Sequence, residues 1–216
     1  MANNKEHVTE KYVTGKGELT GFIALTKPST TFNKKGVYTA NILLPTKEGE
    51  ALAQKLKEIR TEQFKKYGKG TKVTEVPCVP YEIVDKETGE ATPDAEGRYI
   101  LKASASAYIE KGKIGKRIQI INAKKQMVKN INVGEGTIAR LGVVLSGYSV
   151  AGKTGVSVKL GMVQIIDLVE YSGSGFSTDA FDEEEGFDGL GEEFTEDEVT
   201  TETSEDDTTE DEEEDF

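Results

Sequence analysis

The sequence predicts a mainly β protein: a small closed or half-closed barrel with one long α-helix packed against it, followed by a disordered acidic tail. Three observations carry this expectation. About seven segments alternate apolar and polar residues with a period of two, one segment repeats near 3.6, and the residues from 171 onward hold 21 acids without a single Lys or Arg.

In chain order, the first 17 residues, MANNKEHVTEKYVTGKG, carry no apolar run and are expected to form a flexible N-terminal segment. ELTGFIALTKP alternates Leu19, Gly21, Ile23 and Leu25, and GVYTANILLP alternates Tyr38, Ala40, Ile42 and Leu44. Each reads as a strand, with a basic turn from Ser29 to Gly36 between them. In TKEGEALAQKLKEIRTEQFKKYGKG the period changes: Leu52, Leu56, Ile59, Phe64 and Tyr67 fall near one helical stripe, which Gly68 and Gly70 end. Its lysines read as a solvated face. GRYILKASASAYI has the clearest period of two, placing Tyr99, Leu101, Ala103, Ala105, Ala107 and Ile109 on one face and Lys102, Ser104, Ser106 and Tyr108 on the other. EKGKIGK is a basic turn, RIQIIN another strand, and INVGEG leads into a final hairpin. An OB-fold suits this inventory best, although strand order is not readable from pattern and a helix after the second strand is not its commonest placement. The barrel domain is placed at residues 18–171 and the tail at 172–216.

GYSVAGKTG, residues 147–155, fits the phosphate-loop pattern of G, four residues, G, K, then S or T. That loop works only between a buried strand and the N-terminus of a helix, where backbone amides and the helix dipole meet the phosphate. Upstream, Ala139, Leu141, Val143 and Leu145 alternate as a strand should; downstream, Val156, Val158, Leu160 and Met162 alternate against Ser157, Lys159 and Gly161. The second flank is therefore a strand as well, and the motif is the turn of a hairpin.

Other chemistry is excluded more simply. His7 is the one histidine and sits in the N-terminal segment, so a Ser-His or Cys-His pair is not to be expected. A lone Cys78 rules out an internal disulfide framework and a multi-cysteine metal site, and DEEEGFDGLGEE lacks the ligand alternation of a calcium loop. No metal and no cofactor are expected. With no apolar run near the roughly 20 residues of a membrane span and no signal peptide, a soluble intracellular protein is expected.

The net charge of −12 conceals two opposed parts. All 27 Lys and Arg lie in residues 1–170 against 18 acids, a net of +9, while residues 171–216 carry −21. A basic body favours polyanions, and an acidic block of this composition stays unfolded and seeks partners. The tail ends in Glu212, Glu213, Glu214, Asp215 and Phe216, an aromatic anchor among carboxylates that fits a basic, partly apolar pocket on a partner or the protein's own basic groove. In the body, cations and aromatics interleave: Lys27, Phe32, Lys34, Lys35 and Tyr38 at the first hairpin; Lys102 and Tyr108 on the polar face; Lys113, Lys116 and Arg117 in the next turn; Arg140, Tyr148 and Lys153 in the last hairpin. Single-stranded nucleic acid is held by this pairing, cations tracking phosphates while bases stack on aromatic faces.

The GVYTANILLP strand before the long helix, the ASASAYIEKGK strand and turn, RIQIIN, the GYSVAGKTGVSVKL hairpin and the closing EEEDF, taken in that order, resemble the single-stranded-DNA-binding replication proteins of short-tailed phages. The resemblance implies an OB-fold that coats single-stranded DNA with little sequence preference during phage DNA replication, recombination and repair. It also implies strand annealing, a tail that recruits the phage DNA polymerase and primase-helicase and competes with DNA for the groove, and a place in the cytoplasm of an infected bacterial host. A homodimer is compatible with it. Tyr148 matches an aromatic of the family's hairpin, whereas Ser149 and Val150 stand where the family has a basic and a second aromatic residue. Two other readings remain at this point: an acidic-tailed interaction module or chaperone for basic proteins, and a nucleotide-dependent enzyme resting on GYSVAGKTG.

Overall fold

A strand that pairs on both of its edges can close a sheet into a ring, and three residues near the N-terminus do so here. A computed structural model describes residues 7–31, 33–110, 113–129 and 131–170; Phe32 and the tail, with Glu212, Glu213, Glu214, Asp215 and Phe216, lie outside the described residues. The elements are β1 (Thr9–Val13), β2 (Gly17–Leu19), β3 (Ala24–Ser29), β4 (Val37–Leu44), α1 (Thr46–Tyr67), β5 (Lys72–Val73), β6 (Cys78–Pro80), β7 (Glu82–Val84), β8 (Ala91–Pro93), β9 (Tyr99–Ser106), β10 (Gln119–Ile121), β11 (Ile138–Val150) and β12 (Lys153–Asp167). β2 pairs antiparallel with β4 through Glu18↔Leu43 and Leu19↔Ile42, and with β11 through Ile138↔Glu18 and Ala139↔Gly17. β4 continues to β9, β9 to β12 and β12 back to β11. The only parallel step in the ring, Lys159↔Ser104, joins β9 to β12. Counted along the chain, the ring strands lie in the order first, second, third, fifth, fourth. This is the five-stranded Greek-key barrel of the OB-fold.

Alternation fills it. Leu19, Tyr38, Ala40, Ile42, Leu44, Leu101, Ala103, Leu141, Leu145, Leu160 and Val163 are buried in one core. A bulge keeps the period in phase: Gly142 faces Met162 while Val143 faces Leu160, so Gly161 is an extra residue and both Leu160 and Val163 still point inward.

Pro45 starts α1, since the residue before a proline is driven out of the helical region, and Gly68 ends it with its N–H on the Phe64 carbonyl. The helix buries Leu52, Ala53, Leu56 and Ile59 against the barrel. The expected stripe drifts at its end. Phe64 is exposed, and the buried position belongs to Gln63, 0 % exposed, which meets the Val8 N–H, the Ser149 hydroxyl and the His7 ring. A buried amide is tolerated because these partners satisfy it.

Three expectations change. Residues 1–17 are not wholly a loose arm, because Thr9–Val13 form β1 in register with β11 from Thr9↔Ser146 to Val13↔Gly142. ELTGFIALTKP is two strands, broken where Gly21 takes φ 67° and donates its N–H to Glu135, which the Thr20 hydroxyl also reaches. The segment after the helix, to which no period was assigned, supplies β5 beside β12, β6 beside β9, and the separate β7–β8 hairpin. Residues this short in strand and this exposed leave little alternation to read.

Gly49 is where α1 approaches the barrel most closely, since a Cβ there would overlap the ring and Cβ of Tyr99. Gly49→Ala is expected to lower the unfolding free energy by about 1–3 kcal/mol through overpacking, measured by urea denaturation.

Candidate nucleic-acid interface

The same alternation that fills the core sorts polar residues onto the barrel's outer surface. Directly paired residues share a face, so the register builds this surface row by row. Asn41 lies beside Lys102; Thr39, Ser104, Lys159, Val144 and Lys11 form the next row; Val37 lies beside Ser106. On the adjoining part of β11 and β12, Ser146 pairs with Ser157 and Tyr148 with Gly155. Apart from Asn41 and Tyr148, the side chains of these rows are small or cationic.

Over the seam of β9 and β12 the face sinks into an open groove of about 630 Å³, lined by Lys102, Ser104, Ser106, Tyr108, Lys116, Ser157 and Lys159, with Val37 and Pro77 at its margins. None of its described lining residues is an acid. The ion pairs that do form, Lys55 with Glu10, Lys66 with Glu62, and Arg98 with Asp94, Glu18 and Glu96, involve none of these residues. Three lysines around one trough without a counter-charge make a potential that favours a polyanion.

Tyr108 stands at the mouth of this groove, 57 % exposed. Its backbone has φ 52°, a region a bulky residue enters only when its surroundings hold it there. They do: Ala107 donates to the Gly36 carbonyl, Ile109 to that of Lys35, and Lys116 to that of Ala107. The held backbone directs the Tyr108 side chain out of the barrel, where its ring is exposed beside the groove.

Tyr148 sits at the far side, half-buried, its ring laid over Gly155 and its hydroxyl 3.2 Å from that of Thr74. A Cβ on Gly155 would stand 2.8 Å from the ring, so the glycine is the floor for the tyrosine. Between them the chain turns through Ala151 (φ 50°) and Gly152 (φ 73°), the two positive values of a two-residue hairpin turn. GYSVAGKTG is thus the tip joining β11 to β12, with no helix after it. Ser149 faces inward and joins Thr154, Thr71 and Gln63 in a hydroxyl cluster that holds the tip, while Val150 is exposed. At the rim Lys153 pairs in register with Lys72. Like charges placed side by side destabilise a sheet, and an anion between them relieves this.

The structure brings Lys102, Tyr108 and Lys116 into one groove, with Lys35 one hydrogen bond from the Tyr108 loop and Tyr148 and Lys153 on the adjoining hairpin. Lys34 is exposed in the turn beside Lys35, and Lys113 in the small turn closed on Glu110. Lys27 lines a different cleft with Ile131 and Val133, and Arg140 lies further along β11. Tyr38 must be corrected. It is 1 % exposed inside the barrel, where burial raises its phenol pKa against the opposing effect of nearby Arg117, and it has no face to offer a base. Alternation had already put it in phase with Ala40 and Ile42; its position beside a basic turn misled. Sequence reasoning missed Lys159, Lys11 and Lys72. Lys159 was legible as the polar phase of β12; the other two depend on pairings of short or unexpected strands. Among the described residues no group of three or more His, Cys, Asp or Glu could hold a metal ion.

This architecture is shared with phage single-stranded-DNA-binding proteins of the OB type. The chain is similar to gp2.5, a single-stranded DNA binding protein encoded by bacteriophage T7, with a TM-score of 0.58 and 15 % identity over 83 % of this chain and 98 % of that one. It is also similar to the single-stranded DNA-binding protein from bacteriophage Enc34 in complex with ssDNA, with a TM-score of 0.50 and 15 % identity over 79 % of this chain and 91 % of that one. At such identity the likeness is one of fold. No protein-family description and no curated protein matches the chain.

The strain at Tyr108 has a measurable sign. Tyr108→Gly is expected to leave the urea midpoint unchanged or to raise stability by up to ~1 kcal/mol, whereas Tyr108→Ala keeps the positive φ and gains nothing.

Proposed function

We propose that this protein binds and coats single-stranded DNA with little sequence preference, in the groove between β9 and β12. The observation that carries the reading is the groove itself: Lys102, Lys116 and Lys159 with no acid among the described lining residues, and the exposed ring of Tyr108 beside them. Oligonucleotide-binding barrels use the outer face of their second and third strands and the loops between strands one and two and between four and five. Here those parts are β4 and β9, the segment from Thr20 to Gly36 with Lys34 and Lys35, and the hairpin tip with Lys153. Lysines neutralise phosphates and a stacked base contributes about 1–3 kcal/mol, neither of which depends on base identity. The protein is a binding protein, with no catalytic step assigned to it.

The setting is phage DNA replication, recombination and repair in the cytoplasm of an infected bacterium, where the protein promotes annealing and recruits the DNA polymerase and primase-helicase through its tail. Support for the tail's part comes from the sequence. A segment of −21 joined to a body of +9 acts at high effective concentration, so it competes with DNA and leaves Phe216 for partners once displaced.

Titration of a fluorescent oligo-dT, with the full-length chain and with the chain ended at Tyr171, tests both statements. Binding is expected to weaken with salt and to tighten on truncation, most at low salt where screening is least. Lys159→Ala should reduce the salt slope by about 0.7, the value for one phosphate of a single strand. If neither form binds, the chain is better described as an acidic-tailed interaction module for basic proteins.

A further inference from the structure

Beyond Lys159 the outer face of β12 does not end. The bulge leaves Gly161 exposed, and a Cβ placed there would meet only the Gly142 carbonyl, at 3.4 Å. Gly142 lies on the neighbouring strand opposite Met162, so in line with the groove the face becomes a low floor of two glycines crossed by the half-buried Met162 side chain. A chain of sugar and phosphate can pass over such a floor closely.

Past the floor, cations return. Arg140 pairs with Gln164 on the outward phase, since its neighbours Ala139 and Leu141 are fully buried. The Nε of Arg140 is buried without an acceptor among the described residues. A donor left in that state destabilises the free protein, and a phosphate oxygen is a fitting partner for a guanidinium. Gln164 reaches across to the carbonyls of Asn122 and Ala123, at 3.5 and 3.4 Å, tying the strand to the turn that follows β10. That turn is closed by Asn122 and Gln126 in both directions and carries Lys124 and Lys125 at its tip. Lys125 has φ 63°, where glycine or asparagine is the usual choice. Lys124 and Lys125 are exposed, Met127 beside them is 58 % exposed, and the nearest acid along β12 is Asp167 at its end.

We propose that the path of the DNA strand continues from the groove over the Gly161 floor to a second phosphate-binding patch formed by Arg140, Lys124 and Lys125. The inference rests on the groove being a single-stranded-DNA site and adds a second contact to it. With the bulge, Lys159 to Gln164 spans the same length as Val144 to Arg140 on β11, so the face runs about 13 Å at the rise of a strand, and a very short oligonucleotide fills the groove without reaching the patch. A longer strand engages both.

The test compares full-length wild type, the double variant Lys124→Ala/Lys125→Ala, and Lys159→Ala, on oligo-dT of about 3 and about 20 nucleotides, lengths that bracket the usual range for one OB-fold. Thermal unfolding of each variant checks that the fold is kept. The double variant is expected to bind the short strand as wild type does. On the long strand it should bind about tenfold more weakly, with a salt slope smaller by about 1.4, or 0.7 for each of two phosphates released. Lys159→Ala should weaken binding of both lengths. Equal loss on both lengths would place the two lysines within the groove's own contacts, and no loss on the long strand would end the path at Lys159; either result overturns the extension while leaving the groove standing. Wild-type protein that binds neither length would sink the groove reading and the extension together.

Discussion

Everything on the surface of this protein depends on the two-sided pairing of Gly17–Leu19. By bonding to both β4 and β11, this short strand turns an open sheet into a ring, and a ring gives every alternating residue a fixed inside or outside. The inside takes the branched and aromatic residues. The outside is then a surface without a free edge across its middle, so polar residues from strands distant in sequence stand in adjacent rows. Lys102 and Lys159 are 57 positions apart in the chain, and one parallel rung at Ser104 makes them neighbours. Gly17 itself lies so near the Leu43 backbone that a side chain would disturb the closure.

The free protein carries its binding surface in an unrelieved state. Among the described residues, a lysine pair in register at Lys72 and Lys153, three lysines without an acid around the groove, an Arg140 donor without an acceptor and a tyrosine at positive φ all work against stability. Each would be relieved or used by an anionic, base-bearing strand. The stable parts lie elsewhere: the Arg98 guanidinium, held by Asp94 at 2.9 Å, shows how the same chain neutralises a cation when nothing is to be bound there. That contrast sets the groove face apart as the candidate binding surface.

Much of this was legible before any coordinates. Period and composition located α1 and the long ring strands, and the polar phase of GRYILKASASAYI named Lys102 and Tyr108. Two-residue and three-residue strands were not legible, because a period of two needs several repeats to show. The N-terminal strand was missed for another reason: one face mixes Thr9 and Lys11 with the exposed Val13 and the other sets Glu10 beside Tyr12, so TEKYV looks like any exposed segment until β11 pairs with it. Tyr38 shows the opposite failure, a residue whose pattern gave the right answer and whose basic neighbours argued against it.

The chemistry of the face also bears on which nucleic acid enters. Reading a base sequence requires rigid, directed donors and acceptors facing base edges, such as the bidentate groups of Arg, Asn or Gln. The groove instead offers lysines, whose three donors rotate, and the hydroxyls of Ser104, Ser106 and Ser157, which donate or accept as required. Such groups follow a backbone and do not discriminate among bases. Tyr108 adds the one demand the surface makes. A ring exposed at the mouth needs the flat face of a base, and in a duplex those faces are covered by stacking. The charge of this face would suit nucleic acid, and its exposed ring a strand whose bases are free, while nothing in its chemistry is built to read a sequence.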